Sequence, residues 1–287
     1  MHTYNQFKNS ELMVAGVGDM VRTIEKIAAS RLHRMNEEVT RLEEYARELT
    51  RVLSYLSGSG AVTGHPLTLP KSHGERVLVI VGSNKGLVGG LHNILIALFR
   101  EHEHEYERVV AVGRRVRQLL EEERVVPNSY FEASDEDIEP DKVTAVSDFL
   151  FTSFTAGGWR EVDVLYPKYF TLSRQEPVIE RYLPFTFESG QEAQTAHLPP
   201  LQSSLPVFEP SRARAYNRFL DLYIRVRFYR LVLDAKLSEL SARTIEMEHA
   251  ATKADGMLAK IRHDFARERR ANNTLKQLSS YQVSQML

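Results

Sequence analysis

The sequence predicts an α/β protein in which long N- and C-terminal helices form an antiparallel coiled coil around an inserted Rossmann-like α/β domain. Heptad-spaced apolar residues at both ends predict the coil. Alternating strand and helix patterns between them predict the insert. Two stretches rich in Gly, Ser and Pro separate these blocks and read as linkers. The expected division is therefore a helix over 1–56, a linker over 57–74, an α/β domain over 75–187, a linker over 188–210 and a long helix over 211–287.

In the first block Leu32, Met35, Val39, Leu42, Ala46, Leu49, Leu53 and Leu56 step by three and four in strict alternation. That spacing keeps one seam on one face of a slightly under-wound helix. Charged residues such as Arg34, Glu37, Glu38 and Arg41 lie between seam positions and face water. Upstream the pattern is looser, running through Met20, Ile24, Ile27 and Ala28. Gly16 and Gly18 weaken the helix there, since a helical glycine costs about 1 kcal/mol against alanine.

The middle block alternates. Residues 76–81, RVLVIV, form a short β-branched run that reads as a buried strand. A helix is expected over 90–100, a strand over 108–112, a helix over 114–123 and a third strand over 125–131. A helix over 141–155 and strands from Glu161 onward complete it. Strand–helix–strand order implies a mostly parallel sheet covered by helices.

The third block repeats the coil signature. Leu237, Leu240, Thr244, Met247, Ala251, Ala254, Leu258, Ile261 and Phe265 again step by three and four. Phe219, Leu222, Val226, Tyr229 and Leu233 lead into them through a stutter. From Ser211 to the last residue there is no proline and only Gly256 among glycines. Wholly helical, that stretch is on the order of 115 Å long. Neither terminal block can bury its stripe alone, so the two are expected to pair.

Composition narrows the function. The 287 residues include no cysteine, which excludes disulfides, thiolate metal sites and thiol nucleophiles. A formal net charge of −1 argues against a protein that coats nucleic acid. No apolar run approaches the roughly 18 residues of a membrane span, and no secretory signal pattern is visible.

Three features invite chemistry. Gly82-Ser-Asn-Lys-Gly-Leu-Val-Gly-Gly90 follows a strand and opens a helix, where a glycine-rich loop can cradle a phosphate. Its spacing matches neither GxGxxG nor GxxxxGK[ST], so Gly86, Gly89 and Gly90 are expected to serve a tight structural turn. Glu101-His-Glu-His-Glu105 lacks metal-ligand spacing, since residues two apart on a helix face different ways, and reads as a solvated helix end. No Ser/His/Asp arrangement stands in a glycine-framed elbow, so no catalytic residue, metal or cofactor is expected. The third feature is charge. Between Lys260 and Lys276, six basic residues (with Arg262, Arg267, Arg269 and Arg270) oppose two acidic ones. Arg22, Lys26, Arg31 and Arg34 dominate 19–35. Antiparallel pairing is expected to bring these stretches into one basic collar that meets acidic loops of a partner.

Motifs in all three blocks carry a resemblance. Lys26-Ile-Ala-Ala-Ser-Arg-Leu-His-Arg34 is similar to an MVAASKLRR stretch, and Ser83-Asn-Lys-Gly-Leu-Val-Gly-Gly-Leu91 to (S/T)DRGLCGGL. Ser241-Ala-Arg-Thr-Ile-Glu-Met-Glu-His-Ala-Ala-Thr252 resembles SARMVAMKNAT, and Phe265-Ala-Arg-Glu-Arg-Arg-Ala271 resembles YNRARQA. Val164-Leu-Tyr-Pro-Lys168, Gln175 and Leu183-Pro184 also fit. These are motifs of the gamma subunit of F-type ATP synthases, in the family's order and across nearly the whole chain.

The resemblance implies a central rotor shaft that does no bond chemistry. The terminal helices would lie inside a ring of alpha and beta subunits, and the α/β domain would touch the epsilon subunit and the c-subunit ring. The complex would be peripheral to the cytoplasmic face of a bacterial plasma membrane. Arg269 matches the arginine that meets the beta subunits' catch loops, and Arg270 stands where the family usually has Gln. Arg31 matches a lysine that faces an acidic beta loop. Departures are concentrated at Asn9–Ile24 and Asn272–Leu287, with Val88 and His92 in the turn. One reading of them is a divergent gamma from an alternative N-type F-ATPase. Two other functions fit the residues: a coiled-coil scaffold or adaptor with an α/β cap, and a small nucleotide-dependent enzyme built on the middle block.

Overall fold

The computed structural model describes residues 2–57, 64–186 and 211–285. The stretch 188–210, expected to be a linker, lies outside them, as does 58–63. The chain divides into two compact units, residues 1–29 with 243–287, and residues 30–242. Two helices contribute to both: α1 (His2–Ser57) and α5 (Arg212–Gln285).

Unit 30–242 contains the sheet. Its elements in order are β1 (Glu75–Val81), α2 (Leu91–His102), β2 (Arg108–Val112), α3 (Arg114–Glu122), β3 (Ser129–Phe131), α4 (Pro140–Thr155), β4 (Trp159–Thr171) and β5 (Arg174–Leu183). The strand order is β3-β2-β1-β4-β5. β1 pairs in parallel with β2 and β4, placing Val79 beside Val110 and Val164, and β2 pairs in parallel with β3. β5 returns antiparallel to β4 as a hairpin. The apolar run of β1 is continuous because both its faces are covered. Leu78 and Ile80 point into a cluster with Leu95, Phe99, Val116 and Leu120 of α2 and α3. On the other side, Val81 and Val112 face Val143 and Val146 of α4 and Phe228 of α5.

The third strand is shorter than its apolar pattern suggests. Only 129–131 joins the sheet, while Val126 is exposed. Pro127 lacks an N–H and cannot extend the ladder. Arg124 closes α3 at φ +65°, and the Val125 N–H caps it by donating to the Leu120 carbonyl. The described half of the stretch after α1 is packed rather than loose. Leu67 is buried, its carbonyl accepts from the Phe185 N–H at 2.7 Å, and His65 Nε2 stands 3.3 Å from Asp221 of α5.

Both units contain an antiparallel stretch of α1 with α5. In unit 30–242, Arg212 donates to the Leu56 carbonyl at 2.9 Å, Arg230 to Glu43 at 2.6 Å and Tyr229 to Glu38 at 2.5 Å. In the other unit, Arg22 pairs with Asp255, Arg262 with Glu11 at 2.7 Å, and the Phe7 and Phe265 rings stand 6.0 Å apart. A Cβ placed on Gly18 would sit 3.5 Å from that of Ala254.

This register corrects two expectations. Met20 and Ile27 do not extend the seam: both are exposed, Ile24 is half-buried, and the covered positions are Gly18 and Ala28. The inward positions of α1 run 7, 11, 14, 18, 21, 25, 28, 32, 35 in unbroken steps of four and three. Small residues occupy two of them because the helices approach closely there. The single basic collar is also corrected. Arg262 lies against Glu11 and Asp255 against Arg22, so 260–276 meets the first turns of α1 rather than 19–35. The two basic stretches are staggered.

Gly18→Ala is expected to raise stability by about 1 kcal/mol, since the added methyl makes ordinary contact and the helical glycine penalty disappears. Gly18→Leu is expected to lower it by about 1–3 kcal/mol through overpacking. Urea unfolding of the two variants checks the sign reversal. Asp234 of α5 supplies a pH test. Burial, opposed by Arg230 and Lys168, pushes its carboxyl above the usual range. A raised folded value means full stability below the unfolded value and a loss as pH rises through the folded one. Asp234→Asn should therefore gain stability over the parent at neutral pH and show no gain in acid, read as thermal midpoints across pH.

Candidate partner interface

The eight basic residues expected to meet partners fall into two groups. Arg22 is held by Asp19 and Asp255, Arg262 by Glu11, Arg31 by Glu136 at 3.0 Å and Arg34 by Asp137 at 3.6 Å. Lys26, Arg267, Arg269 and Arg270 are exposed, and their side chains make no ion pair or hydrogen bond among the described residues. The side chain of Lys276 lies outside the described residues. Long cations without a carboxylate partner are free to meet one elsewhere.

The same unit carries an apolar surface that the repeat alone did not assign. Met13, Val17, Met20 and Ile27 of α1 are exposed, by as much as 70% for Met13. With half-buried Ile24 they step by four and three, the spacing of a second heptad stripe. Leu12 stands beside them, also exposed. α1 therefore carries one stripe turned to α5 and another turned to solvent. A contiguous exposed apolar stripe marks an interaction site.

The seam residues named from sequence lie as follows. Leu32, Met35, Leu237, Leu240 and Met247 are buried, and Val39, Leu42, Leu258, Ile261 and Phe265 are partly covered. Of the three turn glycines only Gly89 needs its residue type, at φ +54°; a Cβ on Gly86 or Gly90 would meet no atom within 4 Å. Two other glycines carry the steric requirement. A Cβ on Gly82 would come within 2.2 Å of Val116, and one on Gly113, at φ +106°, within 2.8 Å of the Ser83 carbonyl oxygen. The turn's polar groups serve its own fold. Ser83 Oγ hydrogen-bonds His92 Nε2 at 2.9 Å, and Asn84 donates to the Ala133 carbonyl and to Asp135. Val88 and Leu91 pack on Ala242 of α5.

Sequence reasoning missed the loop 132–139, EASDEDIE, which brings five carboxylates between β3 and α4. Ile138 is buried and roots it. Asn84 holds it from one side, and the hydrogen bond from Asn84 keeps the Asp135 carboxyl below the usual range. Lys236 holds it from α5 through the carbonyls of Ser134 and Asp135, at 3.1 Å each. Glu136 and Asp137 are thereby presented to Arg31 and Arg34 of α1. Its density of acidic residues was the available signal, but the pairing spans about a hundred residues of chain. In the cluster expected at a solvated helix end, Glu101, Glu103 and His104 are exposed, while His102 and Glu105 are tied into the domain. His102 Nδ1 stands 2.6 Å from Glu105, which also accepts from Arg76 at 3.1 Å. No group of side chains suited to a metal ion occurs among the described residues.

These surfaces can be compared with known proteins. The family model described as ATP synthase matches residues 13–275. The chain belongs to the ATP synthase gamma-chain family. It is 28% identical to the ATP synthase gamma chain of Moorella thermoacetica over 88% of this chain and 87% of that one. To the gamma chain of a Parafrankia species it is 30% identical, over 83% and 82% respectively. The rotor structure of Euglena gracilis mitochondrial ATP synthase shares the fold with a TM-score of 0.66, covering 94% of this chain and 98% of that one at 14% identity. A gamma chain is a non-catalytic subunit of ATP synthase. Among the described residues no helix is long and apolar enough to cross a membrane.

The acidic loop separates two contributions to stability. Glu136→Gln with Asp137→Asn should cost less than about 1 kcal/mol, because both side chains are about two-thirds exposed, at 66% and 68%. Ile138→Ala should cost about 2–5 kcal/mol by opening a cavity under the loop. Chemical denaturation of both variants checks the order, and the reverse order would mean that the arginine pairs, not the apolar root, hold the loop.

Proposed function

We propose that the chain works as the central rotor shaft of an F-type ATP synthase or ATPase, coupling ion flow through the membrane sector to ATP synthesis or hydrolysis in a ring of alpha and beta subunits. Family membership supports the subunit role. The observation that carries the mechanical reading is the outward apolar stripe of α1, Met13 to Ile27, in the unit that also holds the uncommitted Arg267, Arg269 and Arg270. An exposed apolar stripe, with cations that have no internal partner among the described residues, suits a protein ring that offers apolar walls and acidic loops. In this reading 1–56 and 211–287 supply the shaft. The domain over 75–187, bounded by linkers at 57–74 and 188–210, meets the epsilon subunit and the c-subunit ring. The complex is peripheral to the cytoplasmic face of a bacterial plasma membrane, and the coupled ion is a proton or sodium.

The chemistry required of a shaft is slight. It needs stiffness, which a paired helix supplies, and an asymmetric surface that presents different contacts to each catalytic subunit as it turns. Arg31 and Arg34 enter this reading with carboxylates already beside them, so a partner's acidic segment has to displace Glu136 and Asp137 to reach them.

Pull-down of tagged chain from its native cells, with partners identified by mass, tests the assembly. Recovery with alpha, beta and epsilon subunits is expected, and the identity of those subunits separates a standard complex from an alternative one. Recovery alone or with unrelated proteins would sink the rotor reading. Two variants locate the contact. Met13→Glu with Met20→Glu should leave the melting point of the isolated chain within about 2 °C and reduce its assembly with alpha and beta subunits at least tenfold. Arg269→Ala with Arg270→Ala should lower coupling and leave the melting point unchanged, since exposed charges contribute little to stability. A large drop in melting temperature of the free chain would contradict it.

A further inference from the structure

From Leu231 to Ala242, α5 is buried on every side, with Val232 alone partly exposed, yet the stretch is rich in polar residues. Asp234, Lys236, Ser238, Glu239 and Ser241 are all buried. A helix that needed only to be covered would be apolar all round. Here polar groups leave it in several directions. Lys236 Nζ donates to the carbonyls of Ser134 and Asp135 in the acidic loop and pairs with Glu239 at 2.8 Å. Ser238 Oγ donates to the Pro167 carbonyl of β4 at 2.8 Å. Two residues apart on a helix, Lys236 and Ser238 point roughly 200° apart, to nearly opposite sides. Nearer the start of the helix, Tyr182 of β5 donates to the Ile224 carbonyl at 3.1 Å, and Arg230 reaches Glu43 of α1.

The two kinds of contact differ mechanically. Apolar burial is non-directional, so it resists rotation by packing without tying the helix angle to any one bond. A hydrogen bond weakens steeply once its angle is lost. Bonds on opposite sides of one helix cannot all survive a rotation about its axis. A buried ion pair is also a poor way to add stability, because removing two charges from water costs as much as their attraction returns. Fixing a register is its best-attested use.

We infer that Lys236, Glu239 and Ser238 form a polar key that locks α5 in rotation against the sheet domain, so that torque applied to the domain turns the helix. The inference rests on the rotor reading. α5 runs as one helix from Arg212 to Gln285 and contains no proline. The three residues are positioning residues. They touch no nucleotide and act through the helix they hold. Lys236 also braces the loop that presents Glu136 and Asp137 to Arg31 and Arg34, so the same amine ties α1, the loop and α5 together.

The test uses the complete complex reconstituted in vesicles with the chain cysteine-free as it stands. Lys236→Met with Glu239→Leu replaces the ion pair by apolar side chains of similar size, which keeps the core filled. Ion uptake per ATP hydrolysed is measured beside the melting point of the free variant. The expected result is an unchanged melting point, retained ATP hydrolysis and at least a twofold fall in ions moved per ATP. Ser238→Ala, a smaller change on the opposite side, should lower the ratio in the same direction and keeps the test standing where the double variant fails to fold. Ratios equal to the parent in either folded variant overturn the key. A parent complex that hydrolyses ATP without moving ions overturns the rotor reading, and the key with it.

Discussion

Neither terminal helix can cover its own apolar side, and the rest of the molecule is arranged around that constraint. A stripe at steps of three and four needs a second helix of the same repeat. α1 keeps the repeat unbroken from Phe7 to Leu56, but the size of its inward residues changes along the way. Gly18 and Ala28 are small, and α5 offers Ala251 and Ala254 in the same unit. Leu49, Leu53 and Leu56 are large and lie in the unit that contains the sheet. Small residues permit close approach, as at Gly18 beside Ala254, and the large ones are fully buried where they lie. The glycine penalty at Gly18 is not recovered, because a Cβ there would make only ordinary contact with Ala254; what the position excludes is a large side chain.

Much of this was legible because it depends on local repeats. The strand runs, the helices between them and the heptads are period-two and period-3.6 signals, and β1, β2, α2, α3 and α4 fall close to where those signals end. What failed was choice between equivalent patterns. α1 has two apolar stripes offset around the helix, and periodicity alone prefers the one with larger side chains. Met20 and Ile27 therefore read as seam beside Ala28, whereas Ala28 holds it together with Gly18. The register between α1 and α5 was also out of reach. Each helix specifies its own stripe, but sliding one past the other by a heptad leaves both patterns intact, so the joining of two basic stretches into one collar could not be checked from sequence.

The interface was legible by type more than by residue. Among the described residues Arg267, Arg269 and Arg270 have no carboxylate beside them, while Arg31 and Arg34 have those of Glu136 and Asp137. Nothing in the local sequence of α1 reveals that loop, because the contact is made by the fold of β3, α4 and the Asn84 turn. A basic residue in a recognisable motif is therefore an incomplete statement of a contact surface. Its charge is available to a partner only where the chain itself leaves it unpaired, and an internal pair sets a threshold that the partner's carboxylate has to exceed.

In a doubly wound sheet, ligands usually bind at the carboxyl ends of the parallel strands, where the order reverses. β1 is the strand at which it reverses here, with β2 on one side and β4 on the other. The glycine turn that follows β1 is in the right place for a phosphate. The same edge is filled by the chain itself: Asn84 reaches across to the acidic loop, Val88 and Leu91 rest on Ala242, and Lys236 closes the loop from α5. The cavity that remains, lined by Val81, Val112, Ile138 and Phe228, measures about 30 Å³, room for one or two waters and far short of a nucleotide. The backbone geometry that suits this edge to gripping a ligand is used to grip a helix. Gly82 and Gly113 serve the packing of the strand ends themselves: a Cβ on Gly82 would strike Val116 of α3, and one on Gly113 the backbone of Gly82 and Ser83.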